Sequence, residues 1–239
     1  MVSVTRFNYR FTPNWRMTML ALLVFSLLVS LGYWQLARAK EKKQMLAAHA
    51  GLALRAPTPW KQGMVLPEQY QRLKVSGSYL GEVFLLDNQH YQHQFGYHLL
   101  SPLQLDSGKV VLVDRGWIAG DVTRRSLPEL WLTQGAINLA GDAYYPSEKS
   151  WVLGQVLEKK SETLAVVERI DTKLIGQFLH KSVYPFIIRL DKQEAGGYVR
   201  EWTVVAMPPE RHYAYALQWF AMALVILILF IALNLKKNI

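Results

Sequence analysis

The chain has 239 residues, of which 51% are hydrophobic, and it carries a formal net charge of +9. Its basic residues are dispersed and form no stripe, so the charge does not indicate a nucleic-acid-binding surface. Because the chain contains no cysteine, disulfides, Cys-x-x-Cys redox or copper sites and covalently attached c-type haem are excluded. The high apolar content makes membrane spans the first feature to look for.

The first apolar run covers residues 17–36 and contains no charged residue. Arginines at positions 6, 10 and 16 precede it. A basic flank before an apolar run is also typical of a signal peptide, and Ala37-Arg38-Ala39 supplies small residues at the cleavage spacing. The run is longer than the roughly 7–15 residues of a signal-peptide core, which favours an uncleaved transmembrane anchor.

Residues 37–212 lie between this run and a second one, and their number is sufficient for one compact domain. Strong helix formers continue the first helix to about Leu54. Short runs of β-type residues bounded by Gly, Asp, Asn and Pro then predict a small antiparallel sheet. The predicted strands cover residues 72–80, 83–86, 97–100, 109–113, 137–141, 151–157, 184–190 and 198–205. Asp171 is the predicted N-cap of a short amphipathic helix over residues 171–180.

The second apolar run, residues 213–235, exceeds the about 20 residues needed to cross a hydrocarbon core. Polar and aromatic residues crowd its first two turns, whereas its far half is aliphatic. At about 100° per residue, five residues share one stripe of this helix: His212, Tyr215, Ala216, Trp219 and Ala223. Two interpretations stay open on composition alone, namely an interfacial aromatic belt or a site for a flat, metal-containing ligand held by neutral imidazole.

Together the two runs predict an α+β membrane protein in which a transmembrane helix hairpin flanks a β-rich extracytoplasmic domain. The tails, residues 1–16 and 236–239, then lie on the opposite side of the membrane from residues 37–212. Basic residues flank both ends of each span, so the positive-inside rule does not orient the hairpin.

Small residues on both spans predict a close approach of the two helices. Ser30 and Gly32 supply them on the first span, and Ala216 and Ala223 on the second. Gln35 and Gln218 are expected to form a hydrogen bond in the same leaflet.

Familiar catalytic motifs are absent from the sequence, which has no Gly-x-Ser-x-Gly, no Ser-x-x-Lys and no His-Glu-x-x-His. No enzymatic activity is therefore expected. His90, His93 and His98 lie on a predicted turn and strand where ring directions diverge, so solvated or satisfied histidines are the default there. The run Asp114-Arg115-Gly116-Trp117 is typical either of a bidentate recognition point or of a strand end with Arg stacked on Trp.

Three blocks of the sequence, taken in order, carry a family resemblance. Residues 31–38, Leu-Gly-Tyr-Trp-Gln-Leu-Ala-Arg, match a Leu-Gly-x-Trp-Gln-x-x-Arg signature at the end of a first span. Residues 96–117 match Gly-Tyr, Pro-Leu and Leu-Val-Asn-Arg-Gly-Trp elements, with Asp114 where Asn is frequent. Residues 212–220, His-x-x-Tyr-Ala-x-Gln-Trp-Phe, match a block that opens a second span. In these blocks the chain resembles the Surfeit-locus family of cytochrome oxidase assembly proteins.

The resemblance implies cytoplasmic termini, a central domain outside the cytoplasm, and a role in building haem-copper oxidase. It also implies binding of haem a through His212, the position of a histidine with that role in bacterial members. The short basic N-terminus lacks a long, Ser-rich transit sequence, so a bacterial inner (plasma) membrane is expected. The implied partners are the oxidase catalytic subunit, the haem a synthesis machinery and the lipid bilayer.

We therefore expect a membrane-anchored carrier or insertion factor that binds haem a transiently. His212 is the predicted axial ligand of the haem iron, and arginines near the membrane boundary are placed to meet the propionates. The other predicted cofactor-binding residues are Trp34, Gln35, Arg38, Arg211, Tyr215, Gln218 and Trp219. The alternative is a scaffold that holds an oxidase assembly intermediate through protein contacts at Arg115, Gly116 and Trp117.

The hairpin topology can be tested with a single engineered cysteine, because the chain has none of its own. Ser107→Cys lies in the central domain and should react with a membrane-impermeant maleimide from outside intact cells. Labelling that requires cell lysis would reverse the topology.

Overall fold

A computed structural model describes residues 4–6, 9–106, 108–131, 135–147 and 154–237. It divides into two compact units, of which the first combines Met1–Ala48 with Thr203–Ile239 and the second is His49–Trp202. The membrane boundaries at residues 17–36 and 213–235 stay a prediction.

The secondary structure follows the chain in fifteen elements. They are β1 (Val4–Arg6), β2 (Tyr9–Phe11), α1 (Trp15–Ala53), β3 (Thr58–Pro59), β4 (Arg72–Tyr79), β5 (Val83–Tyr91), β6 (Gln94–Gln104), β7 (Val110–Ala119), β8 (Gly135–Tyr144), β9 (Leu157–Lys159), β10 (Leu164–Val167), α2 (Thr172–Leu179), β11 (Val183–Leu190), α3 (Pro209–Asn234) and β12 (Leu235–Lys237).

The first unit is dominated by α3 and most of α1, which are both long and apolar enough to cross a membrane. Most side chains in their apolar stretches are exposed within the chain, whereas the core helix of a soluble protein buries them. The two predicted apolar helices are thereby confirmed, and they indicate membrane anchoring. Asn14 begins α1 by accepting a hydrogen bond from the Arg16 backbone N–H at 3.0 Å. Pro209 begins α3 at a position where its missing N–H costs no helical hydrogen bond.

The second unit is built on a ring of five strands. They are hydrogen-bonded in the order β4, β8, β11, β7 and β6, and β4 also pairs with β6. That closing contact joins Ser78 to Gln104 and Tyr79 to Leu103. The side chains that face into the ring form one apolar cluster, which includes Leu73, Val75, Leu103, Val111, Val113, Leu139, Phe186 and Ile188. The ring therefore encloses the main core of this unit.

Outside the ring, β5 extends the sheet from β6, and β10 and β9 follow it. A second apolar cluster packs α2 on this outer surface through Ile175 and Leu179, against Leu112 and Ile187 of the ring. As predicted, Asp171 caps α2, and its carboxylate accepts from the backbone N–H groups of Lys173 and Leu174 at 3.1 Å each.

The predicted strands are confirmed in most places, but the sheet is mixed and not antiparallel as predicted. β11 runs parallel to β7, and β10 runs parallel to β5. The short apolar strand β10 had not been predicted. The predicted strand over residues 151–157 falls partly outside the described residues, and the described strand begins only at Leu157.

The predicted strand over residues 198–205 is wrong. Val199 makes a single bridge to Trp117, with no ladder beyond it. The reason lies in β7, whose edge is already paired with β11 as far as Asp114. Only the last few residues of that edge remain open to the returning chain.

Charged residues of alternating sign cross one end of the outer face of the ring. In the strand register, Arg72 lies opposite Asp142, Asp142 opposite Arg189, and Arg189 opposite Asp114. Arg72 also forms an ion pair with Asp191. Opposite charges on neighbouring strands stabilise this register.

Burial opposes the ionisation of Asp142 in this row. Burial raises the pKa of its carboxyl above the usual value, and the carboxylate of Asp191 raises that pKa further, against the lowering effect of Arg72. One of its oxygens, Oδ1, is buried without a hydrogen bond to any described residue. The folded chain therefore holds a proton on Asp142 more tightly than the unfolded chain does.

Asp142→Asn should unfold at a higher temperature than wild type at pH 7, because the amide cannot ionise. A raised folded-state pKa gives stability that is present below the unfolded value of 3.8 and is lost as pH rises through the folded pKa. The difference between the two proteins should therefore shrink as pH falls towards that value. Thermal unfolding of the detergent-solubilised chain, followed by circular dichroism across this pH range, measures it. A less stable mutant at pH 7 would mean that attraction to the arginines outweighs burial.

Candidate functional site

The site that the structure assembles lies where α1 and α3 bring a glutamine to a histidine. His212 stands in the first turn of α3, and its Nδ1 lies 2.7 Å from Oε1 of Gln35 on α1. An amide oxygen can only accept a hydrogen bond, so this contact is a hydrogen bond when Nδ1 carries the ring proton. In the neutral ring, Nε2 then keeps an unprotonated lone pair.

This second ring nitrogen has no hydrogen-bond partner among the described residues, although it is buried. Leaving a buried polar group unsatisfied costs about 1–3 kcal/mol. A neutral imidazole with one free nitrogen is the form in which histidine binds metals. Metal-binding histidines typically donate their other N–H to an oxygen of a neighbouring group, as His212 does. The pair therefore has the chemistry of a single nitrogen ligand for a metal.

Small residues bring the two helices together at this point. On α3, His212 is 8% exposed, and Ala216 and Ala223 on the same stripe are also buried. On α1, a Cβ atom added to Gly32 would lie 2.5 Å from a ring carbon of Phe220, so any larger residue would require that ring to move. The predicted close approach is confirmed at Gly32, Ala216 and Ala223. It is wrong for Ser30, which is exposed and donates to the Ser26 carbonyl of its own helix. Tyr215, predicted on the same stripe, is exposed and does not share this packing.

The other predicted cofactor-binding residues make no described hydrogen bond to this pair. Trp34 is 54% exposed, Arg211 and Gln218 are also exposed, and Trp219 is half-buried. Arg38 forms an ion pair with Glu41 at 2.6 Å. Among the described hydrogen bonds, His212 has Gln35 as its one side-chain partner.

The predicted hydrogen bond between Gln35 and Gln218 is wrong. Gln218 follows His212 by six residues, about 240° around the helix, so it cannot lie on the same stripe. The partner of Gln35 is the histidine. Antiparallel packing of two spans puts residues at the end of the first beside residues at the start of the second. The positions of Gln35 and His212 in the sequence therefore already indicated that they could meet.

The three histidines of the His90 to His98 segment have separate environments. His90 packs edge-on against Phe95, with ring centroids 5.9 Å apart, and His93 is exposed in a turn. His98 Nδ1 lies 2.9 Å from Oδ2 of Asp114. Within the described residues, no three His, Cys, Asp or Glu side chains come together as metal ligands.

Arg115, Gly116 and Trp117, the predicted partner contact, are buried inside the second unit. Arg115 is 2% exposed, because it continues the inward-facing series of Val111 and Val113. Its Nε donates to the carbonyl of Gly196 at 2.7 Å, and its Nη2 donates to the carbonyl of Trp131 at 3.2 Å. Arg115 joins loops to the ring in this structure, and a partner contact at the three residues stays a prediction.

Arg115→Ala should lower the free energy of unfolding by on the order of 3 kcal/mol, because hydrogen bonds from a charged group contribute about 1.5–3 kcal/mol each. Arg115→Lys should rescue little, since one ammonium cannot reproduce the guanidinium fork. Arg125→Ala removes an exposed arginine nearby and should leave stability within about 0.5 kcal/mol of wild type. Denaturant titration of the full chain in detergent compares the three. Equal stability of Arg115→Ala and Arg125→Ala would contradict a structural role for Arg115.

Comparison with known proteins places both ends of the site inside one family match. The model of the SURF1 family matches residues 22–224, a range that contains Gln35 and His212. The chain belongs to the SURF1 family. This family is generally linked to cytochrome oxidase assembly, which agrees with the resemblance of the three sequence blocks.

Two similar proteins in Rickettsia match nearly the whole chain, and a third matches part of it. A SURF1-like protein of Rickettsia felis is 26% identical over 221 residues, covering 89% of this chain and 94% of its own. A SURF1-like protein of Rickettsia prowazekii is 24% identical and covers 94% of this chain and 92% of its own. A third, from Rickettsia conorii, is 36% identical over 104 residues, or 42% of each chain.

Proposed function

We propose that this SURF1 family member is a membrane-anchored assembly factor that binds haem a and assists its insertion into the catalytic subunit of haem-copper oxidase. The observation that supports it is the environment of His212, whose Nδ1 lies 2.7 Å from Oε1 of Gln35 and whose Nε2 is buried without a hydrogen-bond partner among the described residues. Haem a is the cargo, so the protein performs no reaction on it and is not an enzyme. Its partners are then the oxidase catalytic subunit and the haem a synthesis machinery.

His212 supplies the axial nitrogen in this proposal. The other five histidines, at positions 49, 90, 93, 98 and 180, all fall within the second unit, His49–Trp202. The first unit thus offers one histidine ligand. A single axial ligand suits a cargo that must be handed on, because every further bond to the iron would have to be broken at transfer.

Access to Nε2 requires neighbouring side chains to move, since the atom is buried. The protein therefore keeps its ligand covered until cargo arrives, which limits the binding of free metal ions.

Arg38 and Arg211 are the groups proposed to meet the haem propionates. Arg38 is paired with Glu41, but both side chains are nearly half exposed, at 43% and 48%. An exposed ion pair of this kind contributes about 0–1 kcal/mol. Exchanging Glu41 for a propionate therefore costs little, and a guanidinium binds a carboxylate through two parallel hydrogen bonds.

The proposed setting is the inner (plasma) membrane of a bacterium. α1 and α3 cross the bilayer as a hairpin, both termini lie in the cytoplasm, and the ring domain lies outside. Haem-copper oxidase occupies the same membrane, so anchoring restricts the search for it to two dimensions.

His212→Ala should abolish haem a binding when the full chain is co-expressed with the haem a synthesis enzymes. His180→Ala is the matched control, because His180 is exposed at the end of α2 and should leave the haem content unchanged. The optical spectrum of each purified protein and its haem content per chain measure the effect. Full haem content in the His212 variant would refute the ligand assignment.

A protein-contact scaffold without direct haem transfer is the second candidate, and one observation favours it. Trp131 is 80% exposed, yet its backbone is held on both sides, by the Tyr198 hydroxyl and by Arg115. A large aromatic side chain on a fixed backbone is typical of an interface anchor. The test compares capture of the oxidase catalytic subunit by haem-free wild type and haem-free Trp131→Ala. If the wild type captures the subunit and the variant does not, the scaffold describes the function better.

A further inference from the structure

We propose that Gln35 is a positioning residue that sets the tautomer and the donor strength of His212. This inference rests on the proposed function, in which His212 Nε2 binds iron. Gln35 itself touches no iron in this assignment, so it differs from the direct cofactor contact predicted from the sequence. Its action runs entirely through the hydrogen bond of 2.7 Å between Oε1 and Nδ1.

The tautomer matters because only one of the two is ready to bind a metal. In water, the neutral histidine side chain favours the form with its proton on Nε2, and that proton would occupy the lone pair needed by iron. An oxygen acceptor placed at Nδ1 holds the proton there instead. The buried setting strengthens this preference, because a hydrogen bond is electrostatically stronger where water is excluded.

The opposite arrangement is disfavoured by the same burial. If the amide of Gln35 donated to Nδ1, the proton would sit on Nε2, which has no acceptor among the described residues. A buried N–H without a partner is rarer in proteins than an under-used acceptor. When the oxygen of Gln35 accepts from Nδ1, the unsatisfied group is the lone pair of Nε2. An unused lone pair costs less to bury than an N–H without an acceptor.

The neutral charge of the amide also sets how strongly His212 donates. Hydrogen-bonding partners of a ligand histidine raise its basicity, and a carboxylate does so more than an amide. Glutamine thus orients the ring while keeping it a moderate donor. Such a ligand binds iron and still releases it to an acceptor, as cargo transfer requires.

The tautomer is tested first on the haem-free full chain, labelled with ¹⁵N in its histidine rings. In wild type, the resonance of His212 Nε2, assigned by its loss in His212→Ala, should be that of an unprotonated nitrogen. Gln35→Leu should move it towards a protonated nitrogen, whereas Gln35→Glu, which keeps an acceptor oxygen, should not. Gln44→Leu makes the same change at an exposed position of α1 and should leave the resonance unchanged. An unprotonated Nε2 in Gln35→Leu would overturn the inference.

Haem a titration then tests the consequence for binding. Gln35→Leu should weaken binding about 10–100-fold, as loss of such supporting partners does elsewhere, and Gln44→Leu should bind as wild type does. Gln35→Glu should bind ferric haem a at least as tightly as wild type and lower the reduction potential of the iron. If every Gln35 variant has the haem affinity and the reduction potential of wild type, the inference is overturned. This holds even if His212→Ala binds no haem. A wild-type chain that binds no haem a would refute the proposed function instead. The tautomer measurement on the haem-free chain would still test the role of Gln35 independently.

Discussion

The closure of the strand ring between β4 and β6 decides which side chains of the second unit face inward. Once Tyr79 pairs with Leu103 and the ring is closed, successive side chains of each strand point alternately into the ring and away from it. On β7, Val111 and Val113 enter the core, while Leu112 packs outside. Arg115 is buried because it extends the inner series. Asp114 faces outward, as Leu112 does, and therefore joins the outer row of charges.

In the first unit, the corresponding constraint is that two apolar helices have little to hold them together inside a membrane. Lipid tails are as apolar as leucine, so helices associate through close packing and hydrogen bonds. Gly32 beside Phe220 provides the packing, and Gln35 with His212 provides the hydrogen bond. A residue pair that holds the two helices together is thus also the pair suited to the proposed ligand chemistry.

The sequence predicts features that depend on residues close together in the chain. The two apolar helices, the Asp171 cap and most strands follow from local periodicity and capping chemistry. The closing contact of the ring and the partner of His212 do not. Gln35 and His212 are 177 residues apart, and only the mutual arrangement of the two helices brings them together. The helical stripe nevertheless placed His212 on the same face as Ala216 and Ala223, and all three are buried in the structure.

The two free edges of the nine-stranded sheet are very short. One edge is β3, Thr58–Pro59, and the other is β9, Leu157–Lys159. Proline removes a backbone donor from the first edge, and Glu158 and Lys159 place charge on the second, so neither offers a template for pairing with another chain. Short edges of this kind limit the aggregation of the domain through strand pairing while the chain folds.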